Sequence, residues 1–323
     1  MIAASDTIDV SVVICTYNRA KYLGKCIDSI ARQTFPSEKY ELIVVDNNSS
    51  DNTAQVVDFK KSQYPSWRLR YILEVQQGLS YSRNRGMREA CGKYVLYIDD
   101  DAYADEQWIE SIVNCFENFC PRPVCIGGKI LLDWEGKEPN WLSERYRGML
   151  GYLNYGKTAY LNDDLSLAIN GGNIAFDRAF FLSRGYNFPG SLGRIGDKLL
   201  YGEETLVIRR LLEDKAPVCY LDEALVWHVV LPERRSRSWF IKRVIADGRT
   251  QPLLQAKEGR LKQSKLFLIR RIFYDFRLFL LWAFKALTQR LRNKSLEYHD
   301  SFFMSLRYWG RVISETRMLF GRN

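Results

Sequence analysis

One stretch limits what this chain can fold into more than any other: Tyr94-Val95-Leu96-Tyr97-Ile98 running straight into Asp99-Asp100-Asp101. Five residues rich in β-branched and aromatic side chains read as a buried strand, and three carboxylates at its end cannot continue that core. Adjacent like charges repel, so the cluster calls for a strong counter-charge, most simply a divalent cation. The alternative is an acidic turn ahead of the next helix, a part Asp105 can fill alone. Acids at the carboxyl end of a strand in an open α/β sheet stand in the ligand crevice, which favours the ligand reading.

The arrangement recurs upstream. Val10 to Cys15 and Leu42 to Val45 are strand patterns, and each runs into polar residues: Thr16-Tyr17-Asn18-Arg19 after the first, Asp46-Asn47-Asn48-Ser49-Ser50-Asp51 after the second. Leu23, Cys26, Ile27 and Ile30 mark a helix from Tyr22 to Arg32, and Asp51 is placed to cap another. Leu69 to Leu73 reads as a third strand, and Gly78-Leu79-Ser80 opens a helix carrying Arg83, Asn84 and Arg85. Strands and helices alternating at this spacing predict parallel βαβ units.

The strand ends offer complementary chemistry. Asp46 can accept hydrogen bonds from a base or ribose, Thr16 and Tyr17 offer polar groups, and Arg83 can pair with phosphate. With a metal on the acids, this suits a nucleotide diphosphate. Neither a Gly-x-Gly-x-x-Gly nor a Walker-type loop is present, so metal and arginine would hold the phosphates. Taken singly, Asp46 can be a turn former and Arg83 a solvated helix charge; recurrence at three strand ends shifts the balance.

At 323 residues and 46% hydrophobic content, the chain can bury the core of one large domain plus an appendage. Seven scattered cysteines without a C-x-x-C pair point to reduced thiols in a cytosolic setting, not a disulfide framework or zinc site. Met1 to Asp9 is short and polar, unlike a signal peptide, and the longest uncharged run, Leu165 to Phe176, falls far short of a membrane span. The net charge of +9 is uneven: residues 232–323 hold 21 Lys and Arg against 7 Asp and Glu, a net of +14, leaving 26 against 31, or −5, before them. Such a tail could meet nucleic acid, anionic lipid or an acidic substrate.

Beyond the triplet, a helix is expected over Asp105 to Phe119 and a strand over Pro123 to Ile126, followed by Gly127-Gly128. Residues 133–164 read as irregular, with Trp134, Trp141, Tyr146, Tyr152 and Tyr155 available either to stack on a ligand or to form a satellite core. Asn170-Gly171-Gly172-Asn173 precedes a strand at Ile174 to Phe176, and the paired glycines permit close backbone approach to a ligand. Gly202-Glu203-Glu204 opens a helix. Its acids either compensate the helix dipole or present a general base, which a weakly acidic hydroxyl needs in order to attack. His228 closes a strand-like segment from Tyr220 through Trp227; it is one of two histidines, and imidazole suits Mn²⁺.

In their order along the chain, these motifs resemble the family 2 glycosyltransferases of GT-A fold. The resemblance rests on residues 10–19, 41–51, Gly78 with Ser82 to Gly86, Asp99 to Asp101, Gly171 to Asn173, Gly202 to Glu204 and His228. It implies a Rossmann-like mixed sheet flanked by helices, with a nucleotide-binding half at about 1–128 and an acceptor half at about 129–231. By resemblance, Thr16, Tyr17 and Asp46 meet the base, Arg83 the base or phosphates, and Asp99 the ribose. Asn18, Arg19, Asn48 and Asp100 complete the donor-binding set. Asp101, with His228, would hold Mn²⁺ or Mg²⁺ on the diphosphate. Gly171, Gly172, Asn173 and Trp227 would lie by the sugar and acceptor. Glu204 aligns with the base position and Glu203 with an acceptor-binding one; the family usually has Glu-Asp where this chain has Glu-Glu, so Glu203 stays a second candidate. The implied reaction is inverting, non-processive transfer of one sugar, with UDP foremost and GDP or dTDP possible, to a glycan or lipid-linked acceptor in cell-envelope or exopolysaccharide synthesis.

Residues 232–323 predict a basic helical extension, with helices over Ser238 to Gln255, Lys265 to Arg292 and Ser301 to Phe320. In the second, Leu266, Ile269, Phe273, Phe276, Leu280, Phe284, Leu287 and Leu291 recur at steps of three and four among arginines. Packing on the catalytic domain, a homodimer interface and an anionic membrane surface compete for that stripe; the arginines favour peripheral attachment at the cytoplasmic face of a membrane. A nucleic-acid binder would explain the tail but not the acid triplet. A pyrophosphorylase would need a glycine-rich, lysine-bearing signature near the first strand. A catalytically inactive sugar-nucleotide binder is the remaining alternative.

Overall fold

A computed structural model describes residues 7–164, 166–190, 202–257, 259, 261 and 264–321. Residues 1–6 of the stretch read as lacking a signal peptide, and Leu165 of the uncharged run, lie outside the described residues. The chain forms two compact units. The first comprises Met1–Asp133, Gly151–Gly196 and Glu203–Val229; the second comprises Trp134–Leu150, Asp197–Gly202 and Val230–Asn323.

The first unit starts with the alternation read from sequence: β1 (Val10–Thr16), α1 (Ala20–Ala31), β2 (Tyr40–Asp46), α2 (Thr53–Gln63), β3 (Leu69–Leu73), α3 (Leu79–Glu89) and β4 (Tyr94–Asp99). These four strands are parallel, in the order β3-β2-β1-β4. Both faces are covered. Val12, Leu42 and Leu96 pack with Leu23, Ile27 and Ile30 of α1, while Val13, Ile43 and Val95 pack with Met87 and Ala90 at the end of α3. Each such buried side chain contributes roughly 1.5–3 kcal/mol, so polar residues are admitted only where a strand leaves the core. Register sets Thr16 opposite Asp46 and Cys15 opposite Asp99, which aligns the three polar strand ends along one edge.

The rest of this sheet is mixed. After β5 (Ala102–Ala104), α4 (Trp108–Asn118), β6 (Cys125–Trp134) and β7 (Ala159–Tyr160) come β8 (Asn173–Asp177), α5 (Arg178–Ser183), α6 (Glu203–Glu213) and β9 (Val218–Val230). Strand β8 runs antiparallel to β4 and β6, and β9 carries β5 with Ala102 opposite His228. Among the described residues the sheet order is β3-β2-β1-β4-β8-β6-β9-β5, with β7 on β9. Strand β6 departs from the sequence reading: Gly127 and Gly128 lie inside it, and it continues to Trp134. A Cβ at Gly127 would strike Ile169, and one at Gly128 would strike the Ala224 carbonyl and the Asn173 side chain, so close approach explains the glycines.

The second unit holds α7 (Arg237–Lys257), α8 (Lys265–Leu291) and α9 (Ser295–Leu319). Helix α9 begins six residues before the expected Ser301, directly after a turn in which Asn293 adopts φ 55°. Trp141 and Tyr146 pack edge-on against Phe240 and Phe303, and in the first unit Tyr155 packs on Tyr220. For these aromatics the satellite-core reading holds. Ion pairs to buried carboxylates tie α8 and α7 to α9: Arg271 to Glu315 at 2.6 Å, Arg311 to Asp275 at 3.3 Å and Arg307 to Asp247 at 2.5 Å.

Candidate active site

Asp99 ends β4, Asp101 lies in the turn before β5, and the β5–β9 pairing brings in His228. One ligand atom from each of these three lies within 4.8 Å of the others, a set that could hold a metal ion. His228 Nε2 is 3.1 Å from Asp101 Oδ1. Two carboxylates and an imidazole offer the oxygen and nitrogen donors that bind divalent ions. Arg19 reaches Asp101 at 3.8 Å, beyond hydrogen-bonding distance. Burial first, and the Asp101 charge second, push the Asp100 carboxyl up to about 7, against the pull of Arg19.

A second constellation joins this one through Arg83. Arg83 Nη1 donates to Glu203 Oε1 at 2.6 Å and Nη2 to the Gly171 carbonyl at 3.0 Å, while Asp99 Oδ1 lies 3.9 Å away. Arg83 is 4% exposed and Glu203 2%. The Tyr97 hydroxyl donates to the Arg83 carbonyl at 2.8 Å, and Phe188 covers the guanidinium. A Cβ on Gly171 would sit 2.6 Å from Arg83 Nη2, and one on Gly172 would sit 2.5 Å from Asp99 Oδ2. The paired glycines therefore give room to protein charges. Glu203 follows Gly202, whose φ of +100° only glycine adopts readily. Burial, then the neighbouring Glu204, pushes Glu203 up to about 7, and Arg83 opposes the shift. With a guanidinium at 2.6 Å, the charged pair is the form the geometry favours. Glu203 Oε2 is buried with no hydrogen-bond partner among the described residues. Glu204 is half-buried.

The loops after β1 and β2 are tied together. Asn18 and Asn48 both adopt positive φ, 52° and 63°. The Asn18 amide donates to Ser49 Oγ, and the Ser50 amide donates to Asn18 Oδ1. Asp51 accepts from the first amides of both α1 and α2, so it serves two helix starts rather than one. Burial raises its carboxyl, but the bond from the Thr53 hydroxyl together with these two amide bonds brings it below the ordinary value. Asp46 accepts from the Ser49 amide at 2.9 Å and the Tyr71 hydroxyl at 2.7 Å. Thr16 is buried beside it, and Tyr17 is exposed.

Arg83, expected at the base or phosphates, thus meets Glu203 and Gly171 instead, and Asn173 and Trp227, expected by the sugar and acceptor, also have protein partners. Asn173 accepts from Trp108 Nε1 at 2.9 Å and donates to the Lys129 and Ala224 carbonyls at 3.0 and 2.8 Å. With both amide hydrogens used and the side chain buried, it pins β8 to β6 and β9. Trp227 stacks on Tyr103, 5.4 Å between ring centroids and 13° from parallel, where it lines a cavity with Arg32, Thr34 and Gln107. Sequence reasoning passed over Asn47, whose side chain accepts from the Gly78 amide and donates to the Glu74 and Gln76 carbonyls, shaping the path into α3. Its one signal is its place after Asp46.

Residues 11–180 match the sequence model of Glycosyl transferase family 2, more than half of the chain. The chain belongs to that family. This family 2 glycosyltransferase is 32% identical over 243 residues to the glucosyl-dolichyl phosphate glucuronosyltransferase of Haloferax volcanii, covering 74% of this chain and 75% of the relative. Its fold is similar to that of the mannosyltransferase PcManGT from Pyrobaculum calidifontis in complex with GDP-Man and Mn²⁺, with TM-score 0.58, 17% identity and coverage of 99% and 77% of the two chains. It is also similar to S. aureus TarS 1-349 in complex with UDP, with TM-score 0.52, 16% identity and coverage of 94% and 91%. The fold of this family 2 glycosyltransferase is therefore GT-A, and the enzyme acts on a nucleotide sugar.

Proposed function

We propose that this glycosyltransferase moves one sugar at a time, with inversion, from a nucleotide diphosphate sugar to a hydroxyl of a lipid-linked or other glycan acceptor. The observation that carries the reading is the Asp99-Asp101-His228 cluster joined through Arg83 to the Glu203-Glu204 pair. Asp101 and His228, with Asp99 beside them, would hold Mn²⁺ or Mg²⁺, and the bound ion supplies positive charge to the departing diphosphate. Thr16, Tyr17 and Asp46 receive the base at the ends of β1 and β2. Glu203 is committed to Arg83, so Glu204 is the carboxylate that takes the acceptor proton as the new bond forms. Arg83 holds the α6 start in place for that step. UDP is the leading nucleotide, and residues 1–231 carry the catalysis.

The relative named for a glucosyl-dolichyl phosphate reaction supports an acceptor carried on a polyprenyl lipid, as in assembly of a cell-envelope glycan. Peripheral attachment to a membrane through the C-terminal helices belongs to this reading; no helix among the described residues is long and apolar enough to cross a membrane. A thermal-shift screen of nucleotide diphosphate sugars with and without Mn²⁺ tests it, because a ligand bound to the folded state raises apparent stability. One donor should stabilise the enzyme only with the ion, and the transferred sugar should have inverted anomeric configuration by NMR. Retention overturns the mechanism. Donor binding with neither hydrolysis nor transfer would instead mark an inactive sugar-nucleotide binder.

A further inference from the structure

Helix α8 has two unlike faces. Leu268, Asp275 and Ala286 are buried on one, where Arg271 and Arg311 meet Glu315 and Asp275. Outward, fifteen of its side chains are exposed: nine purely apolar, Tyr274, and five basic, with no acid, amide, serine or threonine among them. Phe273 is 70% exposed, Phe284 68% and Leu291 77%. At 3.6 residues per turn, Leu266, Phe273, Leu280, Phe284, Leu287 and Leu291 fall within an arc of about 60°. Arg270, Arg277 and Lys285 flank that ridge on one side, and Lys265 and Arg290 on the other. A contiguous exposed apolar ridge rimmed by charged residues marks an interaction site.

The charges choose the occupant. A second copy placed face to face about a two-fold axis would set basic flank against basic flank, and the one acid of α8, Asp275, is buried. An apolar ridge bordered on both sides by arginine and lysine is complementary to acyl chains beneath anionic headgroups. We propose that α8 lies in the plane of an anionic lipid surface, its ridge sunk at the level of the upper acyl chains and its basic flanks on headgroup phosphates. At 27 residues the helix would run about 40 Å along that surface. The inference deepens the lipid-linked acceptor reading, and rests on it for its purpose though not for its evidence.

Flotation of the full chain with phosphatidylcholine vesicles, alone or mixed with phosphatidylglycerol, tests the proposal without any nucleotide. The protein floats with the mixed vesicles at low salt, and added salt weakens binding. Two triple variants, Phe273→Ser/Leu280→Ser/Phe284→Ser and Arg270→Gln/Arg277→Gln/Lys285→Gln, each lower binding at least about tenfold with circular dichroism unchanged. Hydrogen exchange on the unaltered chain checks the surface independently of any variant: amides of residues 265–291 become more protected when mixed vesicles are added. Failure to float at low salt, variants that float as well as the parent, or no added protection overturns the proposal. So does a stable dimer in gel filtration that the apolar variant abolishes. Donor hydrolysis measured without vesicles keeps the two readings apart, because it depends on the active site and not on this face.

Discussion

Arg83 and Glu203 meet at 2.6 Å across 120 residues of sequence, joining α3 to the first turn of α6 with both side chains buried. Removing one member of such a pair leaves an uncompensated buried charge. Arg83→Ala should therefore lower unfolding free energy by roughly 3–5 kcal/mol in urea titrations. Arg83→Lys keeps the charge but cannot reach both Glu203 and the Gly171 carbonyl, and should lose turnover more than stability. A midpoint for Arg83→Ala equal to that of the parent would show that the pair does not organise the site.

Gly172 is held to glycine by Asp99. A methyl group there would come within 2.5 Å of Asp99 Oδ2 and push the carboxylate out of the cluster. Gly172→Ala should weaken Mn²⁺ affinity, read by titration calorimetry, while circular dichroism stays unchanged. Unaltered metal affinity would separate Asp99 from the ion.

The proposed ion at Asp99, Asp101 and His228 carries its own test. Chelation should abolish donor hydrolysis and transfer, and added Mn²⁺ should restore both. His228→Ala should raise the Mn²⁺ concentration needed for half activity by roughly 10–100-fold, the usual effect of losing a ligand or its support. Full activity in chelator would rule out the metal-dependent reading.

What the sequence disclosed depends on how far each signal reaches. The apolar runs of β1, β2 and β4 and the polar residues ending them are local, so these strands, their parallel βαβ connection and the acid triplet were legible. Strands β5 and β7, three and two residues long, exist through their pairing with β9 and carry no pattern of their own. Asn173 is expected by the sugar and acceptor from the resemblance alone; that its amide also joins Trp108, Lys129 and Ala224 was not legible, because only the fold brings these residues together. Likewise nothing near Arg83 in sequence announces Glu203. In α8 the spacing gave the apolar stripe correctly; that the stripe faces outward is set by the ion pairs with α9 on the other side.

Those ion pairs carry a pH dependence. Burial first, then Asp275, pushes the Glu315 carboxyl up to about 7 from its ordinary 4.5, while Arg271 opposes the shift. A carboxyl that binds its proton more tightly when folded adds stability below the unfolded value, and that stability is lost as pH rises through the folded one. Between about pH 4.5 and 7 the parent should thus lose stability relative to Glu315→Gln, by roughly 1–3 kcal/mol in total. Thermal melts of both across that range check it; a difference that does not vary with pH would contradict the assignment.

The division of labour between two adjacent carboxylates is the core of the account, and Glu204→Gln tests it most directly. Single-turnover transfer and donor affinity should be measured together in the presence of Mn²⁺. The account requires transfer to fall by at least about a hundredfold, the usual range for a lost general base, with donor affinity within about twofold of the parent. Transfer at the parental rate would contradict it and leave Glu203 as the remaining candidate base.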